Sequence, residues 1–474
     1  MTKTIWVVGG GAEAIPGIIL AKKLGLNVVV SDGNPNAPGL KFADKSIIAS
    51  TYDIEGTVNA AYEYHQNVNP IDGVICIATD VPLTVASIAE KLSLPGITTE
   101  TARKCSDKFL MKETLLAAGI PIPWFSLVKS VSELCSIISE RGFPLVIKPV
   151  DSRGARGVIR ITELLDLEWA FEYTKSFSPT SGVMVEEFLE GRQYSTESVI
   201  MDEKNITLGF AERNYEFLEE LSPYIIENGG QQPAKIDKKE LDSIVKLIEK
   251  SSQILGISNA TSKGDVVMTK EGPKIIEIAP RLSGGYFSSD QIPLATGINV
   301  IEIAIRLSLG EKINKALTSK VFELQKYRSE FFGKLQSILG DRKDIKIVGD
   351  RFIFESELLF DSASADLQLS GKEKLSEIGL TLKETTNDIP SDIDWIIMVE
   401  GHTDKKPIQT IRYPSNWELS SARANTVLNL LLDLGFPPNR LASAGYGEFY
   451  PISNGETESD LQQNRRIELK LTSR

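Results

Sequence analysis

The sequence predicts a multidomain protein of mixed α/β and α+β class, and three observations carry that reading. At 474 residues the chain is too long for a single hydrophobic core and implies about two to four domains. Its N-terminus runs strand, glycine turn, helix, strand, the opening of a doubly wound sheet. After Gly310 the texture changes to a charged amphipathic stretch, followed by a separate series of strands and helices.

A hydrophobic content of 42% with 24% charged residues describes an ordinary globular chain, neither disordered nor fibrous. The net charge of −12 argues against general nucleic-acid binding, so local basic clusters are read as specific anion sites. Cys76, Cys105 and Cys135 are odd in number and lack CxxC spacing, which excludes a disulfide frame or a zinc site. The N-terminal apolar run is cut by three glycines, Glu13 and Pro16, and reads as a buried strand and turn rather than a signal peptide. No window approaches the roughly eighteen apolar residues of a membrane helix. A cytoplasmic location is the expectation.

Ile5 to Val8 is an all-apolar strand, Gly9-Gly10-Gly11 a tight turn, Ile15 to Leu24 a helix, and Asn27 to Ser31 a second strand ending at Asp32. Glycines after the first strand and an acid after the second invite a nicotinamide-binding reading. However, GGGAEAIPG lacks the third glycine at its place and carries Pro16 near it, so the spacing fails. Gly73 to Ala78 reads as another buried strand, followed by Asp80 and a helix over Leu83–Leu92. Ser106-Asp107-Lys108-Phe109 opens a helix that continues to Ala118 and stops at Gly119, with Pro121 and Pro123 beyond.

The stretch Phe143 to Ile161 is the most informative. An apolar strand carries Lys148 to its end, the chain breaks into Asp151-Ser152-Arg153-Gly154-Ala155-Arg156-Gly157, and a second apolar strand follows. Gly154 and Gly157 permit backbone angles closed to other residues and bring N–H groups close to an anion, while Lys148, Arg153 and Arg156 supply positive charge. A nucleoside triphosphate suits such a tip; a solvated turn is the plainer alternative. Val183 to Gly191 is a short strand leading into an acidic, partly apolar segment able to hold a flat ring. Gly264–Met268 and Lys274–Gly285 are two strands joined by a tight turn, which places Asp265 and Glu277 on neighbouring strands. Two carboxylates brought together repel unless a cation lies between them, and a magnesium ion with phosphate co-ligands suits such hard oxygen donors. Glu277 interrupts an apolar run, where an unpaired carboxylate is costly.

Taken together, SDKFLMKETLLAAGIPIP, PLVIKPVDSRGARGV, VMVEEFLEG and GDVVMTKEGPKIIEIAPRLSGG resemble, in order and spacing, the ATP-grasp superfamily of carboxylate ligases. The resemblance covers about residues 1–310 and implies a Rossmann-like, biotin-carboxylase-N-like domain over 1–100 and an ATP-grasp domain over 101–312. It implies ATP and magnesium (or manganese) as cofactors. On this resemblance Lys108 and Lys148 contact the ATP phosphates, and the loop of Ser152, Arg153, Gly154 and Gly157 closes over them. Glu186, Phe188 and Leu189 line the adenine hinge, and Glu197 is a ribose contact. Asp265 and Glu277 hold the metal, while Arg281 acts with Lys148 as a catalytic stabiliser of the transferred phosphoryl group. The implied chemistry is activation of a small carboxylate as its acyl phosphate and capture by an amine or similar nucleophile. Ala279 stands where many members have Asn, which weakens the case for a second magnesium ion.

Residues 313–342 read as an amphipathic linker helix, with Val321, Leu324, Tyr327, Phe331 and Leu335 at three-to-four-residue spacing. Beyond it GHTD, SNWELSSARANTV, LASAGYGEFYP and NRRIELKL resemble the OmpA-like peptidoglycan-binding domain, in its flagellar-stator-type form, over about 343–474. By that resemblance Asp404 binds the ammonium and Arg423 the carboxylate of diaminopimelate in the wall peptide; mutual pairing of the two side chains is the structural alternative. The two resemblances point to different compartments, cytoplasm for one and periplasm or wall for the other. A wall-anchoring protein with a non-catalytic nucleotide domain, or a join of two separate proteins, is therefore also open.

Overall fold

The computed structural model describes residues 2–201, 204–312, 345–348, 351–361, 363–386 and 395–473. The chain forms two compact units, Met1–Lys315 and Ala316–Arg474, so the expected domains over 1–100 and 101–312 fall within one unit. The linker helix expected over 313–342 lies outside the described residues.

The first unit contains three sheets. β1 (Thr4–Val8), β2 (Asn27–Asp32), β3 (Lys45–Ile48) and β4 (Gly73–Ile75) form a parallel sheet of order β3-β2-β1-β4. Every residue of β1 is buried, as a strand covered on both faces requires. Around this sheet lie α1 (Ile15–Lys23), α2 (Ile54–Asn67) and α3 (Pro82–Leu92), and α4 (Thr99–Ser106) runs from α3 to the core that holds Cys105. Pro16 occupies the first turn of α1, where its missing N–H costs nothing. β4 stops three residues before the expected Ala78, because the chain turns there through a left-handed Ala78 at φ 54°. Asp32 is engaged within its own turn, accepting from Gly10 N at 2.8 Å and Asn34 N at 2.8 Å.

The other two sheets are antiparallel. β5 (Phe125–Val128), β6 (Leu145–Pro149), β7 (Ile159–Ile161) and β8 (Val183–Glu187) are ordered β5-β8-β6-β7, and pack against α6 (Val131–Arg141) and α7 (Leu167–Ser176) through Leu134, Ile147, Ile159 and Phe171. β9 (Arg192–Met201), β10 (Lys204–Asn214), β11 (Gly229–Gln231), β12 (Ala260–Thr269) and β13 (Gly272–Ala279) are ordered β11-β10-β9-β12-β13. Their core joins α5 (Lys108–Ala117) and α8 (Lys238–Leu255) through Met111, Leu115, Ile248 and Ile278. Short α9 (Ile292–Thr296) leads into α10 (Val300–Ser308), which returns to the first sheet; Ile301 and Ile77 lie so close to Gly17 that a side chain there would collide with Ile77 at 2.3 Å.

In the second unit β14 (Ile345–Val348), β15 (Arg351–Glu355), β16 (Trp395–His402), β17 (Leu441–Gly445) and β18 (Arg466–Ser473) form a sheet of order β14-β15-β18-β16-β17, with only β16 and β17 parallel. Besides short α13 (Glu458–Asn464), the unit contains α11 (Leu369–Thr386) and α12 (Asn416–Asp433), which bury Phe352, Phe354, Val399, Val427, Leu431 and Leu469. Glu400 stands opposite Glu468 in the ladder. Arg351 reaches both carboxylates and Arg466 Nε donates to Glu468 at 2.6 Å, so two guanidiniums balance two buried carboxylates. His402 beside them is pushed down to about 4 by burial and stacks on Tyr446. The thiols of Cys76, Cys105 and Cys135 are free.

Candidate active site

One wall of a cleft in the first unit is cationic. Lys148 ends β6, and its Nζ donates to Glu186 Oε1 at 2.5 Å from the adjacent strand β8. Burial would raise the Glu186 carboxyl, but Lys112 and Lys148 together hold it below the usual range. Past Lys148, Asp151 ties the base of the hairpin to the loop before β8, accepting from Ser178 Oγ at 2.6 Å and Thr180 Oγ1 at 2.7 Å. The tip then turns through three left-handed residues, Gly154, Ala155 and Gly157, a path that glycine adopts without strain. Asp107 caps α5 by accepting from Phe109 N and Leu110 N, which puts Lys108 on the first turn. Lys108 N donates to Val150 O at 2.8 Å and its Nζ to Ser152 O at 2.6 Å.

The opposite wall carries carboxylates matched by cations. Asp265 on β12 and Glu277 on β13 are direct cross-strand partners, and the register slips immediately after Asp265. Asp265 accepts from Ser195 Oγ at 2.7 Å and Lys263 Nζ at 2.5 Å, with Arg213 at 3.3 Å. Burial opposes ionisation, yet Arg213 and Lys263 hold its carboxyl far below the ordinary range. Glu277 faces Lys108 Nζ at 3.5 Å, and despite burial that lysine keeps its carboxyl low as well. Arg281 follows β13 and pairs with Asp80 at 3.0 Å. Asp265 and Glu277 are hard oxygen donors of the kind a divalent cation takes, and each is met by cations of the chain, Asp265 by Lys263 and Arg213 and Glu277 by Lys108.

In the second unit the conspicuous charged pair is Asp404 with Arg465, and Asp404 also accepts from Lys406 N at 2.8 Å. Arg465 extends the network to Glu357 and to Glu458 at 2.8 Å. Arg423 is buried and donates to the backbone carbonyls of Ser364 at 2.8 Å and Asp361 at 3.3 Å, over the ring of Phe360.

Residues 105–285 match the ATP-grasp domain family, and residues 359–465 match the OmpA family. The chain carries an ATP-grasp domain and an OmpA-family domain. It is 27% identical over 248 residues to the protein y4rH of Sinorhizobium fredii, covering 52% of this chain and 50% of that one. It is 35% identical over 120 residues to YtxE of Bacillus subtilis, covering 25% of this chain and 46% of that one. The chain thus spans about half the length of these relatives. The crystal structure of an L-amino acid ligase from Bacillus licheniformis superposes with a TM-score of 0.55 at 22% identity, over 65% of this chain and 74% of that one, a likeness of fold.

Within the ATP-grasp unit a cleft of about 1020 Å³ is lined by Lys108, Lys148, Ser152, Gly154, Gly157, Glu186, Phe188, Leu189, Asp265, Glu277 and Arg281. Arg153 instead lies over the ring of Tyr52, 4.4 Å from its centroid. Glu186 is buried at the edge of the cleft, with its two oxygens against Lys148 and Lys112. Glu197 is fully buried off the cleft, accepting from Ser283 N at 3.0 Å and Ser288 Oγ at 3.0 Å, and Gln193 of the same strand lines the cleft. Sequence reasoning passed over Lys112, Arg213 and Lys263. The last was within reach: it precedes Asp265 by two residues, so alternation puts both side chains on one face of the strand. In the OmpA-family unit Asp404 and Arg423 do not bond each other; Arg465, from the NRRIELKL segment, is the missed partner.

Proposed function

We propose that the first unit is an ATP-dependent ligase that activates a small carboxylate as its acyl phosphate and joins it to an amine or similar nucleophile. One observation supports this above the rest: Lys108 and Lys148 face the opposed carboxylates Asp265 and Glu277 across a single cleft. The lysines hold phosphate oxygens, and the tip around Gly154 and Gly157 covers them and keeps water from the transferred group. Val146, Phe188, Leu189 and Ile276 offer an apolar slot for the base. Asp265 and Glu277 would hold magnesium, which neutralises charge on the phosphates. Arg281 lies beyond the carboxylates, where a substrate carboxylate attacks the γ-phosphate. As the phosphoryl group transfers, charge builds on its oxygens, and fixed cations in a closed site stabilise that charge without reorganising. An amino-acid-like carboxylate suits the neighbouring Arg281 and Asp80, which offer both signs of charge. Lys148→Ala and Glu277→Ala should each abolish ADP formation while the thermal melt stays cooperative; normal turnover in either overturns the role given to that residue.

For the second unit we infer binding of a diaminopimelate-containing wall peptide at Asp404 and Arg423, a zwitterion requiring charges of both signs. The geometry that supports this is their separateness, since Asp404 is held by Arg465 and Arg423 by two carbonyls. Co-sedimentation of the whole protein with purified peptidoglycan tests it. Equal retention of wild type and the Asp404→Ala, Arg423→Ala double variant removes the site.

A further inference from the structure

Lys112 is fully shut off from solvent. It lies one turn after Lys108 on α5, on the inward face with Met111 and Leu115. Its Nζ is 3.0 Å from Glu186 Oε2, an ion-pair contact off the best hydrogen-bonding angle, and donates to Ile276 O at 3.2 Å. The other oxygen of Glu186 holds Lys148. One carboxylate is therefore divided between two ammoniums, of which Lys148 lines the cleft and Lys112 is sealed behind it.

The charge arithmetic gives this arrangement its meaning. Lys148 and Glu186 alone would form a neutral pair, and a neutral pair does little to hold a polyphosphate. Adding Lys112 makes this group of three one positive charge in excess, beside the end that opens to the cleft. We propose that Lys112 is a positioning residue that takes half of Glu186, so that Lys148 is fixed in place yet keeps its positive charge for the phosphates of a nucleotide. The idea rests on the reading of the cleft as an ATP site. Burial pushes the Lys112 ammonium down to about 8, against the pull of Glu186, and the ion pair with that carboxylate at 3.0 Å favours its charged form. A buried ammonium is a costly way to fill space when an apolar side chain of similar volume would pack as well. The cost is intelligible if the charge is needed.

Calorimetric titration of the whole protein with ATP and magnesium tests this, using wild type, Lys112→Met and the Lys112→Met, Glu186→Gln double variant, with a thermal melt of each. Loss of one nearby charge should weaken ATP binding by about tenfold to a hundredfold in Lys112→Met. The double variant removes the competing carboxylate too, restores the single positive charge of Lys148, and should return to within about threefold of wild type. Wild type that binds no ATP removes the reading of the cleft itself. Wild type that binds, with Lys112→Met binding equally well, overturns the role of Lys112. A double variant weaker than Lys112→Met shows that the cluster is only a structural brace and overturns it as well. If Lys112→Met does not fold, the double variant, in which no buried carboxylate is left against a single lysine, decides alone by the same threefold criterion.

Discussion

Glu197→Gln should change how stability depends on pH while leaving the fold intact. Glu197 is fully buried, and burial pushes its carboxyl up to about 7 despite hydrogen bonds from Ser283 and Ser288. An unfolded glutamate titrates near 4.3. Between these values the folded protein holds a proton that the unfolded chain releases. The stability contributed by this protonation is therefore full below about pH 4.3, falls as pH rises, and is lost once pH passes about 7. At about 1.4 kcal/mol per pH unit the full loss amounts to about 4 kcal/mol, of which about 3 kcal/mol falls between pH 4.5 and 8. Glutamine keeps an oxygen to accept from Ser283 N and Ser288 Oγ, and has nothing to titrate. Urea denaturation of both proteins at intervals from pH 4.5 to 8 gives the comparison, and the second unit contributes equally to each. The stability difference, wild type minus variant, should shrink by about 3 kcal/mol across that range. A difference that stays constant would refute the reasoning.

Two further outcomes follow from local geometry. Gly157 adopts φ 73°, and a Cβ there would stand 3.0 Å from Phe177 Cβ and 3.1 Å from Pro149 Cγ; Gly157→Ala should cost about 1–3 kcal/mol and weaken ATP binding. Gly119→Ala, also left-handed but with open space around it, should cost less in the same thermal melts. Arg465→Ala removes the ion-pair partner of Asp404, a carboxylate whose side chain is only 7% exposed, and should destabilise the second unit by about 1–3 kcal/mol. Urea denaturation reads that loss, and ADP formation by the first unit should be unchanged.

The elements that carry strong local signals were legible in the sequence. The glycine tip after Lys148 and the turn between β12 and β13 announce themselves by composition, and Asp107 before Lys108 reads as a helix start because a carboxylate there satisfies orphan N–H groups. What escaped depends on partners far along the chain. Lys112 looks like any solvent-facing lysine until the packing of α5 against β8 and β13 turns it inward. The resemblance puts Glu186 in the adenine hinge, and the β6–β8 register sets it opposite Val146 and so on the same face as Lys148. A shift of one residue in that register would reverse the assignment, and nothing local fixes it. Glu197 shows the converse: the resemblance makes it a ribose contact, whereas the loop at Ser283 and Ser288 encloses it.

The cleft draws its lysine at the end of β6 from one antiparallel sheet and its carboxylates on β12 and β13 from another. Neither sheet alone holds a complete site, so a nucleotide that touches both acts as a cross-link that only the assembled unit can accept. Saturation at a hundred times the dissociation constant adds about 2.7 kcal/mol to the form with both sheets in place and nothing to a form in which either has frayed. Binding should therefore raise the cooperativity of melting as well as its midpoint, merging the loss of the two sheets into one transition.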